Sequence, residues 1–209
     1  RGFASDPIDT ALVLQALRLT QLSAGPVVDS AFSSLSASRL IGGGWPTVAS
    51  ADRSVAATAE VLLAIQAWEP LGRGGSLKAD AIGGLIALQN TDGGFGEGGA
   101  SSAYATALAL SALTEAGAPS AQTQPAIAWL QSHQSQDGSW NGSVYETSRV
   151  LAALKGGLRP NLVVPPSSIS MEPVLPDEGD IADVRATIRN VGRVPTGPTR
   201  AALFDGEPG

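Results

Sequence analysis

Leu85-x-x-x-Gln89-x-x-x-Gly93-x-Phe95 and Trp129-Leu130-x-x-x-Gln134-x-x-x-Gly138-x-Trp140 are one motif written out twice in register. A third copy fits the frame at Leu35-x-x-x-Arg39-x-x-x-Gly43-x-Trp45, with Arg standing where the others have Gln. The tail of a fourth is Arg1-Gly2-Phe3. The closing aromatics fall at positions 3, 45, 95 and 140, so the steps are 42, 50 and 45 residues. That is the period of a two-helix repeat. The first three quarters of the chain are therefore expected to be built by repetition. The sequence is expected to open inside a repeat, as a piece of a longer protein would.

The segments after the aromatics are equally regular. Asp9-Thr10-Ala11-Leu12-Val13-Leu14, Ala57-Thr58-Ala59-Glu60-Val61-Leu62, Ala105-Thr106-Ala107-Leu108-Ala109-Leu110 and Glu146-Thr147-Ser148-Arg149-Val150-Leu151 share one template. These stretches are rich in Ala and Leu, free of Pro and Gly, and apolar on most of their circumference, which predicts inner helices buried on both sides. The segment before the motif is more amphipathic. Over Gln124 to Gln134, Ile127, Leu130 and Trp129 share a stripe, with Gln131, Ser132 and His133 around the other side, which predicts an outer layer.

Each unit then reads outer helix, Asp-Gly turn, inner helix. Gly93, Gly94 and Gly138 are expected at positive φ in the turns, where Asp92 and Asp137 accept hydrogen bonds from turn amides. The aromatics Trp45, Phe95 and Trp140 wedge between successive pairs. Gln89 and Gln134, expected to be buried, satisfy their amides on backbone groups freed at neighbouring helix ends. The motif is read as a mechanical joint.

The Gln-to-Gly-x-Trp/Phe element resembles the QW motif of the terpene cyclase and protein prenyltransferase superfamily, over roughly residues 1 to 157. The resemblance implies an α/α toroid of helical hairpins. It implies no single function, because squalene and terpene cyclases, zinc prenyltransferases, complement-type thioester domains and vitamin B12 carriers share that fold.

Residues separate these branches. A zinc prenyltransferase needs Asp, Cys and His ligands, and this chain has no Cys and one His, His133, expected to face solvent or serve structure on its outer helix. A thioester domain also needs a Cys. The cyclase acid motif, Asp-x-Asp-Asp followed by Thr-Ala, is similar to Asp6-Pro7-Ile8-Asp9-Thr10-Ala11. The resemblance places the proton donor on the middle carboxyl, and that position is Ile8, which has no proton to give. Asp6 and Asp9 are weak catalytic candidates. Asp6 before Pro7 suits a helix N-cap, and Asp9 adds negative charge to the first turn.

A cyclase also lines its cavity with aromatic faces that stabilise carbocations. Aromatic residues are 5% of this chain, and three are assigned to joints. The starts of the inner helices are expected to gather at one mouth, where Asp9, Asp52, Tyr104, Tyr145 and Glu146 could hold a sugar, a peptide or a small ligand.

Near residue 158 the composition changes. Gly156-Gly157-Leu158-Arg159-Pro160 stops the last predicted helix, and residues 159–166 read as a Pro-rich linker. Alternating runs succeed it at 168–173, 181–190 and 200–206. In the second, Val184, Ala186 and Ile188 face one side and Asp183, Arg185, Thr187 and Arg189 the other, the pattern of a half-buried antiparallel strand. Pro160-Asn161-Leu162-Val163-Val164, Gly179 and Arg189-Asn190-Val191-Gly192 resemble the opening of a bacterial CARDB module, which implies the first strands of an immunoglobulin-like sandwich over 167–209.

The net charge is −6 with scattered basic residues, which offers nucleic acid or an anionic membrane no landing patch. No apolar stretch is long enough to cross a bilayer. The fold expectation is therefore a mainly α protein: an incomplete α/α toroid of roughly three and a half hairpins over residues 1–158, followed by a partial β-sandwich. The functional expectation is a non-catalytic scaffold or ligand-binding portion of a multidomain bacterial secreted or cell-surface protein, with no cofactor. Its partners would be other domains of the same polypeptide, a small hydrophobic ligand, a glycan or a protein. The alternatives are a fragment of a cyclase- or prenyltransferase-like enzyme and a carrier for a hydrophobic or corrin-like molecule.

Overall fold

The computed structural model describes residues 6–20, 25–157, 162–164, 166–172 and 182–190. Phe3, Gly179, Val191-Gly192 and the run at 200–206 lie outside the described residues. The chain is mainly helical and divides into two compact units, Arg1–Gly157 and Leu158–Gly209.

Among the described residues of the first unit there are seven α-helices: α1 (Pro7–Leu19), α2 (Pro26–Ser38), α3 (Val55–Trp68), α4 (Gly75–Ile86), α5 (Ala103–Glu115), α6 (Ser120–Ser132) and α7 (Val144–Gly157). The four that carry the shared template, α1, α3, α5 and α7, lie side by side in that order. α2, α4 and α6 form the other layer. Each packs most closely on the inner helix before it, not on the one that its motif leads into. The connections explain this, because α3 and α5 reach their outer helices through short turns such as Ala116–Pro119, whereas the motif needs a longer path. One such path holds a small hairpin, β1 (Pro46–Thr47) and β2 (Ser50–Arg53), which the repeat pattern does not indicate.

All-round apolarity becomes near-complete burial in α3 and α5, whereas α1 and α7, at the ends of the described layer, are not buried on both sides as expected: Leu12, Val13, Leu19, Val144 and Leu151 are exposed. Val55, Ala57, Ala59, Val61, Leu62, Ala64 and Ile65 of α3 are inaccessible to solvent, in a single core cluster shared with α1, α5 and α7. Their N-termini are capped alike. Ser54, Ser102 and Ser143 hydroxyls accept from Ala57, Ala105 and Glu146 amides, and Asp6 occupies the same template position in α1, accepting from Ile8 N at 2.9 Å with Pro7 beginning the helix.

The motif is a joint with four repeated parts. The aromatic is buried in all three described copies. Its backbone N–H donates to the template threonine, Trp45 to Thr58 at 3.0 Å, Phe95 to Thr106 at 2.9 Å and Trp140 to Thr147 at 3.0 Å. Where the aromatic is Trp, the indole N–H donates to the carbonyl of the motif's leading Leu, Trp45 to Leu35 at 2.6 Å and Trp140 to Leu130 at 2.8 Å. The Gln position reaches forward to the next outer helix. Gln89 Nε2 donates to Gly93 O of its own turn and to Gln122 O on α6, and Arg39 in the same frame pairs with Asp80 on α4.

Three expectations are corrected. Gln89 is half-buried and Gln134 is exposed, bonded only within its turn to Gly138 O, because no outer helix lies ahead of it among the described residues. Gly93 and Gly138 have φ of +90° and +82°, but Gly94 does not have positive φ. It is glycine for space, since a Cβ there would lie 2.6 Å from Ser101 and 2.9 Å from the Trp129 ring.

In the second unit, β3 (Leu162–Val163) pairs antiparallel with β6 (Arg189–Asn190), so residues read as linker contribute a strand. β4 (Ile169–Glu172) pairs antiparallel with β5 (Asp183–Ala186) in the register Ile169 to Ala186 and Met171 to Val184. The alternation in β5 is that of a strand, but half-burial is not observed. Both strands are exposed along their length, because no second layer covers the Ile169, Met171 and Val184 face among the described residues.

Candidate functional site

Packing on three sides leaves α3 and α5 one stripe each turned away from their neighbours, and α1 and α7, each with one inner-helix neighbour, carry the equivalent stripe at the same positions relative to the template threonine. The stripes are Ile8, Leu12, Gln15 and Leu19 on α1; Ala56, Glu60, Leu63 and Ala67 on α3; Tyr104, Leu108, Ser111 and Glu115 on α5; and Tyr145, Arg149 and Ala152 on α7. Side by side they make a free face on the inner layer, with Glu60 and Leu108 sunk among the side chains around them. The face is aliphatic for the most part, and its polar groups converge.

The convergence is centred on Glu60 and Tyr104. Glu60 is buried, and its Oε2 accepts from Gln15 Nε2 of the neighbouring helix at 2.9 Å. The same Gln15 nitrogen donates to the Glu60 carbonyl at 3.2 Å. On the other side, the Tyr104 and Tyr145 rings stack with centroids 6.0 Å apart and planes at 27°. Burial pushes the Tyr104 phenol above its ordinary pKa, and Tyr145 and Glu60 act in the same direction, while Arg149 opposes them. One carboxylate and one guanidinium, from helices on either side of α5, thus act on a single phenol.

The expected mouth residues divide. Tyr104 and Tyr145 meet on the free face. Glu146 serves its own helix start, accepting from Asn141 Nδ2 at 2.8 Å, and Asp52 is exposed on β2. Asp9 is exposed in the first turn of α1, and Asp6 caps that helix. A further carboxylate, Glu97, lies just past Phe95 and reaches back to the start of α3. Its Oε1 accepts from Ser54 Oγ at 2.8 Å, Val55 N at 3.0 Å and Ala56 N at 3.4 Å. It lies more than forty residues from its partners in sequence, and no local pattern announces it.

The remaining aromatics among the described residues serve structure. Trp68 is fully buried and donates to Leu14 O at 2.8 Å, and Phe32 is buried among the helices. Trp129 donates to Asp92 Oδ2 at 2.9 Å and stacks on His133, which bonds back to Trp129 O at 2.8 Å through Nδ1. Hydrogen bonds from Ser101, Gly94 and Trp129 hold the Asp92 carboxyl below its usual range. None of the described helices is long and apolar enough to cross a membrane. No protein-family model and no curated protein matches the chain.

Proposed function

We propose that the helical unit is a non-catalytic binding scaffold, a segment of an α/α toroid of the cyclase and prenyltransferase type within a multidomain bacterial secreted or cell-surface protein. The β unit is, in this reading, the start of a CARDB-like immunoglobulin-fold module. The observation that carries the binding role is the free face, where Gln15, Glu60, Tyr104, Tyr145 and Arg149 converge among aliphatic side chains, whereas the motif aromatics, threonines and glutamines are spent on joints. Asp6 supports the non-catalytic reading, because its carboxylate sits in the cap position that serine fills in three other repeats.

Such a face suits a ligand with an apolar body and a few hydroxyl, amide or carboxyl groups. A thermal-shift series on the full chain, with isoprenoid diphosphates, squalene analogues, corrinoids and glycans, tests this. A rise with one class that E60Q and Y104A abolish is expected, because only ligands that prefer the folded state raise its melting point. Turnover of a squalene analogue or an isoprenoid diphosphate would overturn the non-catalytic reading.

A further inference from the structure

Two residues past the template threonine, the inner layer reads Glu60 on α3, Leu108 on α5 and Arg149 on α7. These are equivalent positions on helices that lie side by side, with α5 packed between the other two, so an acid, an aliphatic residue and a base follow one another across the free face. One turn nearer the helix starts, on the same stripes, stand Ala56, Tyr104 and Tyr145. Leu108 is 1% exposed and forms the floor between the two charges. The Tyr104 and Tyr145 rings, with centroids 6.0 Å apart, border that floor on the side of the helix starts.

Glu60 and Arg149 have opposite charges, yet neither enters an ion pair among the described residues. Their separation accounts for this. Packed helices have axes about 8–10 Å apart, so α3 and α7, two steps apart, hold their side chains over the face from axes up to about 20 Å apart. Glu60 is buried, and its Oε2 accepts from the neutral amide of Gln15 at 2.9 Å. A buried carboxylate gives up hydration that one neutral donor replaces only in part. Arg149 is half-buried, and it acts on the Tyr104 phenol in the sense opposite to Glu60.

We propose that this face binds a zwitterion whose cationic and anionic groups are separated by an aliphatic chain of several carbons. The ammonium lies against Glu60, the carboxylate lies against Arg149, and the chain crosses Leu108 beside Tyr104. This names the ligand class of the binding face and rests on the scaffold reading above. An α-amino acid carries its two charges on one carbon and cannot span α5, whereas an ω-amino acid can. The aliphatic floor favours the chain by apolar burial, and the two charges fix its direction.

Isothermal titration calorimetry of the full chain with aminohexanoate, aminooctanoate and aminodecanoate, each charged at its two ends, tests this against octylamine, octanoate and octanol. One of the three amino acids is expected to bind about tenfold or more tightly than any of the singly charged or neutral probes. Glu60→Gln should remove that advantage over octanoate and leave octanoate binding unchanged. Arg149→Met should remove the advantage over octylamine and leave octylamine binding unchanged. The comparison among probes on the unsubstituted chain does not depend on either variant folding, and melting curves of the variants show whether they do. Octanol binding as tightly as the best amino acid overturns the zwitterion and leaves the binding scaffold standing. So does an amino acid whose affinity neither substitution moves. If none of the amino acids binds, the zwitterion is overturned, whereas the scaffold reading fails only when the thermal-shift series with the other ligand classes is flat as well.

Discussion

Thr106 Oγ1 accepts the backbone N–H of Phe95 at 2.9 Å and donates to the Phe95 carbonyl at 3.2 Å, so one buried hydroxyl closes both main-chain groups of the joint's aromatic. Valine at this position keeps the volume and removes the partner. A buried amide left unpaired costs about 1–3 kcal/mol. Thr106→Val and Thr58→Val are therefore expected to lower stability by about that much in urea melts. Thr147→Val should cost less, because Thr147 is only partly buried and water can replace its hydroxyl.

Gly93 and Gly138 occupy the same place in the motif with nearly the same φ, yet their surroundings differ. A Cβ on Gly93 would lie 2.8 Å from Pro125 Cβ and 2.9 Å from Pro125 O on α6, whereas on Gly138 the nearest atom is Gln134 Nε2 at 3.8 Å. Alanine in a left-handed conformation costs roughly 1–2 kcal/mol by itself. Gly138→Ala should show that amount alone. Gly93→Ala should exceed it, because the α6 backbone must also move, and the difference between their denaturation midpoints measures the joint's contact with the next helix.

Legibility in the sequence divides along the same line, between contacts within a joint and contacts across it. The inner helices, the turn carboxylates and the Asp6 cap depend on residues a few positions apart, so the template displays them directly. The Gln89 bond to α6 and the Arg39 pair with Asp80 depend on which outer helix lies ahead, a packing fact with no local signature. Glu60 stands in the template as an acid among alanines, but its meaning needs Gln15 from the adjacent helix. Tyr104 and Tyr145 are conspicuous at the helix starts, and their stacking requires the α5 to α7 order. In the β unit, alternation displays the strand but cannot supply the second layer that burial needs.

Arg39 and Asp80 are 40% and 38% exposed, so their ion pair works in a high dielectric. Such pairs contribute about 0–1 kcal/mol. Arg39→Gln, which restores the residue of the other two copies, is expected to change the melting temperature little in low salt and less in high salt. A loss of several kcal/mol would show that the forward reach at this joint needs charge.

Asp92 Oδ1 accepts from Gly94 N and Ser101 Oγ, and Oδ2 accepts from Trp129 Nε1, so the carboxylate fastens the turn to α6. Its folded pKa lies below the ordinary 3.8, with Ser101 the largest cause. The unfolded chain thus takes up this proton at higher pH than the folded one. The stabilisation is present above the ordinary value and is lost as pH falls through the folded one. Acid titration below about pH 4 should shift Trp129 emission. The shift should disappear in Asp92→Asn and in Trp129→Phe.

Tyr104 gives the converse case and reports on the free face directly. Burial raises its pKa above 10.0, Tyr145 and Glu60 add to the rise, and Arg149 works against it. Unfolded, the phenol loses its proton at the ordinary value while the folded one still holds it. The stabilisation is therefore complete below that pH and is lost as pH rises through the folded value. The chain has two tyrosines, so Tyr145→Phe leaves Tyr104 as the only phenolate signal in an ultraviolet titration. In that background Tyr104 is expected to titrate above 10.0. Glu60→Gln should bring it down by removing a neighbouring negative charge, and Arg149→Met should push it further up. If both substitutions leave the midpoint unmoved, neither charge faces the phenol and the polar convergence on the inner layer is wrong. Opposite movements would place Glu60 and Arg149 around Tyr104 in solution, where a bound ligand's polar groups would meet all three.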